Sequence, residues 1–396
     1  MHRHLVHLAV AGVAVVAATL LPAGSSFAAP GPTTASTTGS ACDAHCQAIQ
    51  RIGRALVARD GGPPGLIVLV DSSGKVADYS FGSSKVGTAT PIMSTDHLRL
   101  ASVSKAYSGA VALALVARGV LHLSDKVGTR VRGLPSSWRN ATLTELLQHT
   151  SGIPDFIRSP EFAEDITAHP DTPPSRYGLV RLAFPLPMTF TPPGSSYHYS
   201  NTENELVGLM VQQATHRTYE QELADLVTGP LGLADTSLPD GVDLPTPYAH
   251  GYTVQPGTAP VDETNAFAAG WSWAAGGVVA TPTDVDRFIR AYARGALTTP
   301  AVHADQFRFR PGSSEPPGPG TNAAGLAIFR YRTSCGTVYG HTGNTLGYTQ
   351  FAASTSGGTR SVVVQVNGQI TPAGTPGAFA QLLAVEDAAV CAALGG

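Results

Sequence analysis

The chain has 396 residues, 43 % of them apolar, which is ample for a folded core and excludes disorder as the state of the whole chain. The net charge of −3 does not indicate a nucleic-acid or anionic-membrane partner. Length alone does not decide between one large domain and two.

The first 28 residues predict a secretion signal. A weakly basic start at Arg3 precedes an almost wholly apolar run at 5–21, and Ser26-Phe27-Ala28 offers small residues where a signal peptidase reads. Because no basic stop-transfer run follows, we expect cleavage before Ala29 and an exported protein without a stable membrane anchor. Residues 29–40, rich in Pro, Thr, Ser and Gly, predict a disordered linker.

The rest of the chain, 41–396, predicts strands at both ends and helices between them. A helical pattern at 43–59 is followed by strands at 66–70 and 76–81 around a turn, and a second helical pattern covers 104–120. Further helices are predicted at 142–147, 202–215, 218–228, 283–294 and 376–394, and further strands at 326–332, 337–340, 348–354 and 360–367. This order predicts an α/β lobe built from both ends of the chain, with a helical lobe at about 105–320 inserted in it.

The motif Ser102-Val103-Ser104-Lys105 opens the second predicted helix. Residues at i and i+3 share a helix face, about 5–6 Å apart at Cβ. A lysine whose charge is disfavoured by burial can take the proton of a serine hydroxyl, which is otherwise a poor nucleophile. Ser72 and Lys75 have the same spacing but lie in a predicted turn, so the motif alone is weak.

Two further motifs lie downstream. Tyr199-Ser200-Asn201 precedes a predicted helix, and His341-Thr342-Gly343 ends a predicted strand and is followed by Asn344. A glycine on an edge strand lets a substrate backbone approach closely, and an edge strand can bind an extended peptide. Taken singly, neither motif indicates a function. The first is also compatible with a solvent-exposed aromatic residue, and the second with a turn that carries a histidine.

Together, in this order and spacing, the three motifs resemble the S-x-x-K, Y-x-N and K-T-G or H-T-G signatures of the serine β-lactamase and penicillin-binding protein superfamily. The stretches 144–152, 250–252 and 275–284 resemble its class C-like branch. Cys335 shortly before the H-T-G motif and Cys391 near the C-terminus are similar to the soluble D-alanyl-D-alanine carboxypeptidases of actinomycetes. The resemblance covers nearly all of 45–394.

The resemblance implies a fold: an α/β, two-lobe (α+β) architecture in which an antiparallel sheet is flanked by N- and C-terminal helices. It also implies catalytic roles. Ser102 is the expected nucleophile and Lys105 its proton acceptor, and Tyr199 passes the proton to the leaving group and later activates water. A disulfide between Cys335 and Cys391 is implied as well.

The same resemblance implies substrate-binding roles for several further residues. The acyl side-chain amide is bound by Asn201; the terminal carboxylate faces His341, Thr342 and the adjacent Gly343, with one of Arg330 and Arg332 as its ionic partner; and the oxyanion is held by the N–H groups of Ser102 and Asn344. Since most of the superfamily has lysine where this chain has His341, efficient β-lactam hydrolysis is not implied.

We therefore expect a secreted serine hydrolase, a D-alanyl-D-alanine carboxypeptidase that acts on cell-wall peptides and is acylated by β-lactams. We expect a monomer with no cofactor, no metal and no nucleic-acid partner. Two alternatives share the fold: a β-lactamase-like esterase or D-amino-acid peptidase, and a non-catalytic binder of penicillin or cell-wall peptides.

Two other hypotheses, an α/β-hydrolase and a zinc protein, are weaker. An α/β-hydrolase elbow around Ser272, with Asp284 and His341, lacks its second glycine and a preceding strand. A zinc site at Cys42 and Cys46 lacks a second cluster, whereas four cysteines in an exported protein favour disulfides. His149, on a loop within 144–152, is expected to have a structural role.

Overall fold

The structure, a computed structural model, describes residues 43–313 and 315–395; the predicted signal segment, the linker and Cys42 lie outside the described residues. Its main sheet has seven strands in the order β2-β1-β12-β11-β10-β9-β8, with every neighbouring pair antiparallel. Strands from both ends of the chain pair directly, β1 with β12, which confirms the predicted fold class and its two-ended lobe.

The strands are β1 (Gly65–Ser72), β2 (Lys75–Gly82), β3 (Leu98–Arg99), β4 (Thr236–Ser237), β5 (Tyr252–Thr253), β6 (Val261–Asp262), β7 (Val279–Ala280), β8 (Thr321–Ala324), β9 (Phe329–Thr333), β10 (Gly336–Thr345), β11 (Tyr348–Ser354), β12 (Arg360–Val366) and β13 (Gly368–Gln369). The helices are α1 (Ala44–Val57), α2 (Ser104–Ala117), α3 (Val127–Arg130), α4 (Leu143–Leu147), α5 (Pro160–Ala168), α6 (Arg176–Arg181), α7 (Asn201–Thr215), α8 (Tyr219–Leu223), α9 (Gly229–Leu231), α10 (Trp273–Gly276), α11 (Pro282–Ala293), α12 (Pro300–Gln306) and α13 (Pro376–Leu394).

The main sheet is covered on both faces. Its central strands β1, β11 and β12 are buried almost throughout, and their continuous apolar runs are typical of strands with two covered faces. Helices α1 and α13 pack on one face. Helix α11 and the predominantly helical region that contains α2 and α7 pack on the other, which places α2 directly against the sheet.

The inserted region differs from the predicted all-helical lobe. It contributes to two small three-stranded sheets, β3-β7-β4 and β13-β5-β6, whose two-residue strands are too short to show alternation in the sequence. Helices α5 and α12, in regions where no helix was predicted, each begin at a proline. Proline breaks a helix interior but suits the first turn, so a proline-rich stretch can still contain helix starts.

The predicted strand at 326–332 is in part wrong. Only Phe329–Thr333 is extended, while Thr321–Ala324 forms a strand of its own, β8, and the two make a hairpin. Ala327, between them, has φ of 52°, in the left-handed region. Gly325 lies in this turn, but a single glycine among apolar residues does not show where one strand ends and the next begins.

The C-terminal helix α13 is tied to the sheet covalently. A disulfide joins Cys335, between β9 and β10, to Cys391, with an S–S distance of 1.93 Å, and this is the pairing that the family resemblance implies. Among the described residues α13 is the helix long and apolar enough to cross a membrane, yet it packs against α1 and the sheet. The apolar character of α13 is therefore explained by its packing against α1 and the main sheet.

Glu386 of α13 provides a test of this packing. It is 3 % exposed, its Oε2 has no hydrogen-bond partner among the described residues, and burial raises the pKa of the carboxyl well above the usual 4.5. Above pH 4.5 the unfolded chain loses a proton that the folded chain retains, so the free energy of unfolding falls as pH rises toward the folded pKa.

We expect Glu386→Met to raise the free energy of unfolding at pH 7 by about 1–3 kcal/mol, the cost of a buried polar group without a partner. It should also flatten the decline of stability with pH, as measured by urea unfolding at pH 4 to 8. The exposed Glu164, changed to Gln, is the matched control. A Glu386→Met protein with wild-type pH dependence would show that this carboxyl is solvated or paired.

Candidate active site

Ser102 lies at the start of the helix that runs through the core of the inserted region. The chain leaves β3, turns through Ala101 in the left-handed conformation (φ 49°), and enters a short 3-10 turn, Ala101–Val103, that continues into α2. A left-handed alanine costs about 1–2 kcal/mol. The turn leaves Ser102 half-buried, whereas Lys105, one turn on, is completely buried.

The Lys105 ammonium has three oxygen partners. Its Nζ lies 3.0 Å from Ser102 Oγ, 2.7 Å from Asn201 Oδ1 and 2.9 Å from the carbonyl oxygen of Ala275. Burial lowers the pKa of Lys105 to about 8, against the opposing attraction of nearby carboxyl groups. Near neutral pH this lysine can therefore be neutral and accept the Ser102 proton.

Tyr199 lies across this pair. Lys105 Nζ is 4.9 Å from the centroid of the Tyr199 ring. The Tyr199 hydroxyl is close enough to Ser102 to interact with it, but in a geometry that falls short of a hydrogen bond. Burial raises the pKa of Tyr199 well above 10, so the group is a neutral phenol that can both donate and accept a proton.

Strand β10 brings the third motif beside the nucleophile. Its first half, Gly336–Gly340, pairs with β9, but β9 does not continue along the second half, which pairs with β11 alone. The strand expected at a sheet edge is thus an interior strand. Only its second half, residues 341–345, has no partner strand on the side away from β11, and we call this the free stretch of β10. At Gly343 a Cβ atom would lie 2.3 Å from Leu100 O and 3.2 Å from Ser102 N, so only glycine allows this approach.

His341 is a neutral group in this structure. It is fully buried, its Nδ1 lies 2.6 Å from Thr342 O, and its Nε2 has no partner among the described residues. Burial, assisted by the charge of Lys105, lowers the pKa of His341 to about 3. A neutral imidazole provides no positive charge for a substrate carboxylate at this position.

The neighbours of His341 on β10 point to different surroundings. Alternation along the strand directs Thr342 to the opposite face, where it is 8 % exposed, has an unpartnered Oγ1 and lies against Gly318 of the loop before β8. The exposed Asn344 directs its side-chain amide to Thr349 Oγ1 and Ile370 O, at 3.0 and 2.7 Å. Its side chain is thereby held away from Ser102, which leaves only its backbone N–H for an oxyanion.

The two arginines proposed for a substrate carboxylate lie along the first half of β10. Arg330 pairs in register with Tyr339, two residues before His341, and its guanidinium lies 5.0 Å from the centroid of the Phe309 ring. Arg332 pairs with Thr337, about 7 Å farther along, and is exposed. The structure thus brings Arg330 nearer the site than Arg332.

Asn201 has inward-facing contacts that the sequence did not suggest. Its Oδ1 accepts from Lys105, and its Nδ2 donates to Asp155 Oδ2 at 2.9 Å. Asp155 is itself 4 % exposed. Because both ends of the Asn201 amide are hydrogen-bonded inside the protein, this residue holds Lys105 in place as well as lying where a substrate would bind.

A second buried pair lies beneath Tyr199. His149 Nδ1 is 2.5 Å from Glu203 Oε2, and the imidazole ring centroid is 4.3 Å from that of Tyr199. Ser151 donates to the other Glu203 oxygen from its N–H and hydroxyl, at 3.2 and 2.6 Å. His149 thus has the structural environment expected for it, at closer range to the catalytic motifs than the sequence indicated.

Three buried acids were missed: Asp155, Glu203 and Glu205. A signal for two of them existed, because Glu203 and Glu205 lie at the start of α7 directly before an apolar run, and all of residues 202–211 are buried. A buried lysine needs such partners. No comparable signal marks Asp155, which lies in a loop.

The competing assignments receive no support from the geometry. Asp284 Oδ2 accepts from Asp235 N and Thr236 Oγ1, at 2.8 and 3.0 Å, and so binds a loop rather than a histidine. Cys46 takes part in a disulfide. Within residues 43–313 and 315–395, no group of three or more His, Cys, Asp or Glu side chains could hold a metal ion.

Comparisons with known proteins bear on the family and the fold of this chain. The family model Beta-lactamase matches residues 49–386. Protein flp of Staphylococcus aureus (strain MRSA252) is 28 % identical over 232 residues, which are 57 % of this chain and 45 % of flp, so the chain spans about half the length of the curated relatives it matches.

Two solved structures cover most of the chain. The D-stereospecific amidohydrolase from Streptomyces sp. has a TM-score of 0.74 at 26 % identity, covering 86 % of this chain and 98 % of its own. The D-amino acid amidase from Ochrobactrum anthropi SV3, complexed with L-phenylalanine amide, has a TM-score of 0.76 at 23 % identity, covering 88 % and 99 %. The second likeness shows the fold alone.

The arrangement predicts which serine is reactive. We expect a fluorophosphonate probe to label the wild-type protein on Ser102 and not to label Ser102→Ala. Ser72→Ala is the matched control: Ser72 belongs to the other S-x-x-K match, but its Oγ donates to the carbonyls of Ala392 and Ala393. Peptide mapping by mass spectrometry measures the site, and label on Ser72 or Ser272 would refute the assignment.

Proposed function

This chain belongs to the Beta-lactamase family, and from that premise we propose that it cleaves amide bonds next to D-amino acid residues through an acyl-enzyme on Ser102. It is a serine hydrolase of the β-lactamase and penicillin-binding protein superfamily. The observation that carries the proposal is the 3.0 Å contact between Ser102 Oγ and a lysine that is wholly buried.

In the proposed acylation, the Ser102 proton passes to Lys105 Nζ while Oγ forms a bond to the acyl carbon. The carbonyl oxygen becomes negative and is stabilised by the N–H groups of Ser102 and Asn344. Tyr199 then gives its proton to the leaving nitrogen and receives one from Lys105, so the C–N bond breaks without a free amide anion. In deacylation, water attacks the ester and its proton returns by the same route.

Unpartnered polar atoms support a substrate position along β10. The Tyr199 hydroxyl and His341 Nε2 are both buried and both lack hydrogen-bond partners in the described structure. Buried polar groups are almost always bonded, so these atoms mark where a bound molecule supplies partners. The free stretch of β10 offers backbone groups to an extended acyl chain.

We infer cell-wall peptides that end in D-Ala-D-Ala as the first candidate substrate, which makes the enzyme a carboxypeptidase that β-lactams acylate. Such a peptide has a terminal carboxylate. Because His341 is neutral, Arg330 is the cation that we assign to it.

A second candidate is favoured by the same neutral histidine. A D-amino acid amide or ester with an uncharged leaving group needs no cation beside Thr342, and the structural relative at 26 % identity is a D-stereospecific amidohydrolase from Streptomyces sp.. This candidate retains every step of the mechanism and changes only the leaving group.

Export is part of the proposal. The signal-like segment at 1–28 supports it, and so does the Cys335–Cys391 disulfide, because disulfides persist in oxidising compartments. We further propose that the protein acts as a monomer without a cofactor.

The two candidates are separated by a panel of a D-Ala-D-Ala peptide, a D-amino acid amide, a chromogenic cephalosporin and a nitrophenyl ester. We expect Arg330→Ala to lower kcat/KM for the D-Ala-D-Ala peptide by roughly ten- to a hundred-fold, the loss of one charge-assisted hydrogen bond, and to leave the neutral ester nearly unchanged. Arg332→Ala, on the same strand but exposed, is the control.

Equal losses on both substrates would assign Arg330 a structural role. If Arg330→Ala loses nothing and the amide is the better substrate, the carboxypeptidase candidate is excluded in favour of the amidase.

A further inference from the structure

Asp155 is a buried carboxylate one hydrogen-bonded residue away from the catalytic lysine. We propose that Asp155 is a positioning residue of the acylation step: through Asn201 it fixes the acceptor that holds Lys105, and its negative charge favours the lysine ammonium that forms when Ser102 loses its proton. This inference rests on the proposed function and assigns a role to a residue that the three motifs do not include.

The orientation of Asn201 depends on Asp155. Asp155 begins the 3-10 turn Phe156–Arg158, where its Oδ1 accepts from Ile157 N at 3.3 Å, and its Oδ2 accepts from Asn201 Nδ2 at 2.9 Å. An amide has a donor end and an acceptor end. Because the carboxylate binds the donor end, the oxygen of Asn201 is left facing Lys105 Nζ, at 2.7 Å.

The charges around Lys105 single out Asp155 as its ionic partner. Three buried carboxyls surround one lysine, so one ammonium cannot balance them all. Burial raises the pKa of Glu203 well above 4.5 and that of Glu205 to about 7, whereas the pKa of Asp155 rises only to about 6. At neutral pH Asp155 is therefore the most fully ionised of the three acids.

The other titratable groups that face Lys105 are neutral. They come from the loop before Asp155, from the segment before α7 and from β10: the pKa of His149 is well below 6.5, that of Tyr199 is well above 10, and that of His341 is about 3, each mainly because of burial. The pH response of Lys105 near neutrality is thus governed by the carboxyls.

The sign of the effect follows from the proton balance. When the Ser102 proton reaches Nζ, a positive charge appears two hydrogen bonds from Asp155 and is stabilised by it. Removing the Asp155 charge lowers the pKa of Lys105, because Asp155 is the strongest of the groups that raise it. The lysine then loses its proton at lower pH but is a weaker base. The acidic limb of the pH–rate profile for acylation therefore moves to lower pH, and the rate on its plateau falls.

The test is the pH dependence of the rate at which a fluorophosphonate probe labels Ser102, from pH 5 to 10. In Asp155→Asn, which can still accept from Asn201, we expect the acidic limb to move to lower pH by about one unit and the plateau to fall about tenfold. Asp155→Glu keeps the charge and should keep the wild-type limb. The exposed Glu161, six residues on, changed to Gln, is the control.

A limb that stays in place in Asp155→Asn, with or without a loss of rate at all pH values, would overturn the inference, since a purely structural role lowers rate and melting temperature without moving the limb. If Asp155→Asn does not fold, Asp155→Ser, which can still cap the Ile157 N–H, gives the same comparison. A wild-type protein that does not label on Ser102 would instead refute the proposed function.

Discussion

The burial of a single ammonium group, that of Lys105, is the constraint on which the rest of the site depends. An ammonium taken out of water without partners would lose several kcal/mol of solvation, and it meets that cost here with three oxygen acceptors and nearby carboxyls. This compensation is only partial, so the lysine remains charged in acid and loses its proton with a pKa of about 8. A lysine in that state can deprotonate a serine.

Three helices of the inserted region contribute the groups that surround the Lys105 ammonium. Helix α2 places Ser102 and Lys105 one turn apart, α7 begins with Asn201 and the buried acids, and α10 supplies the Ala275 carbonyl. The sheet closes the remaining side, because Gly343 allows β10 to reach the backbone of Ser102. The fold therefore joins the two lobes at the point where the proton is transferred.

The sequence predicted the elements with strong periodicity and the residues whose chemistry is unusual. Strands β1, β2, β11 and β12, helix α13 and the pair Ser102 and Lys105 at the start of α2 were predicted close to their observed positions, since alternation and i, i+3 spacing are local. The features that the sequence did not reveal depend on contacts between residues that are far apart along the chain. Asp155 is only a loop acid until Asn201 is seen to bind it, and β8 is hidden by a left-handed turn at Ala327. His341 carries no sign of its burial, so its neutrality had to come from the packing around it.

The central claim is that burial makes Lys105 a base near neutral pH, and NMR can measure this directly. The chain has four lysines, and Lys75, Lys85 and Lys126 are exposed, so lysine labelled with 13C at Cε gives a simple spectrum that the Lys105→Met variant assigns. The account predicts that the Lys105 resonance titrates with a midpoint of about 8. A midpoint near 10.5, the ordinary value for lysine, would contradict it.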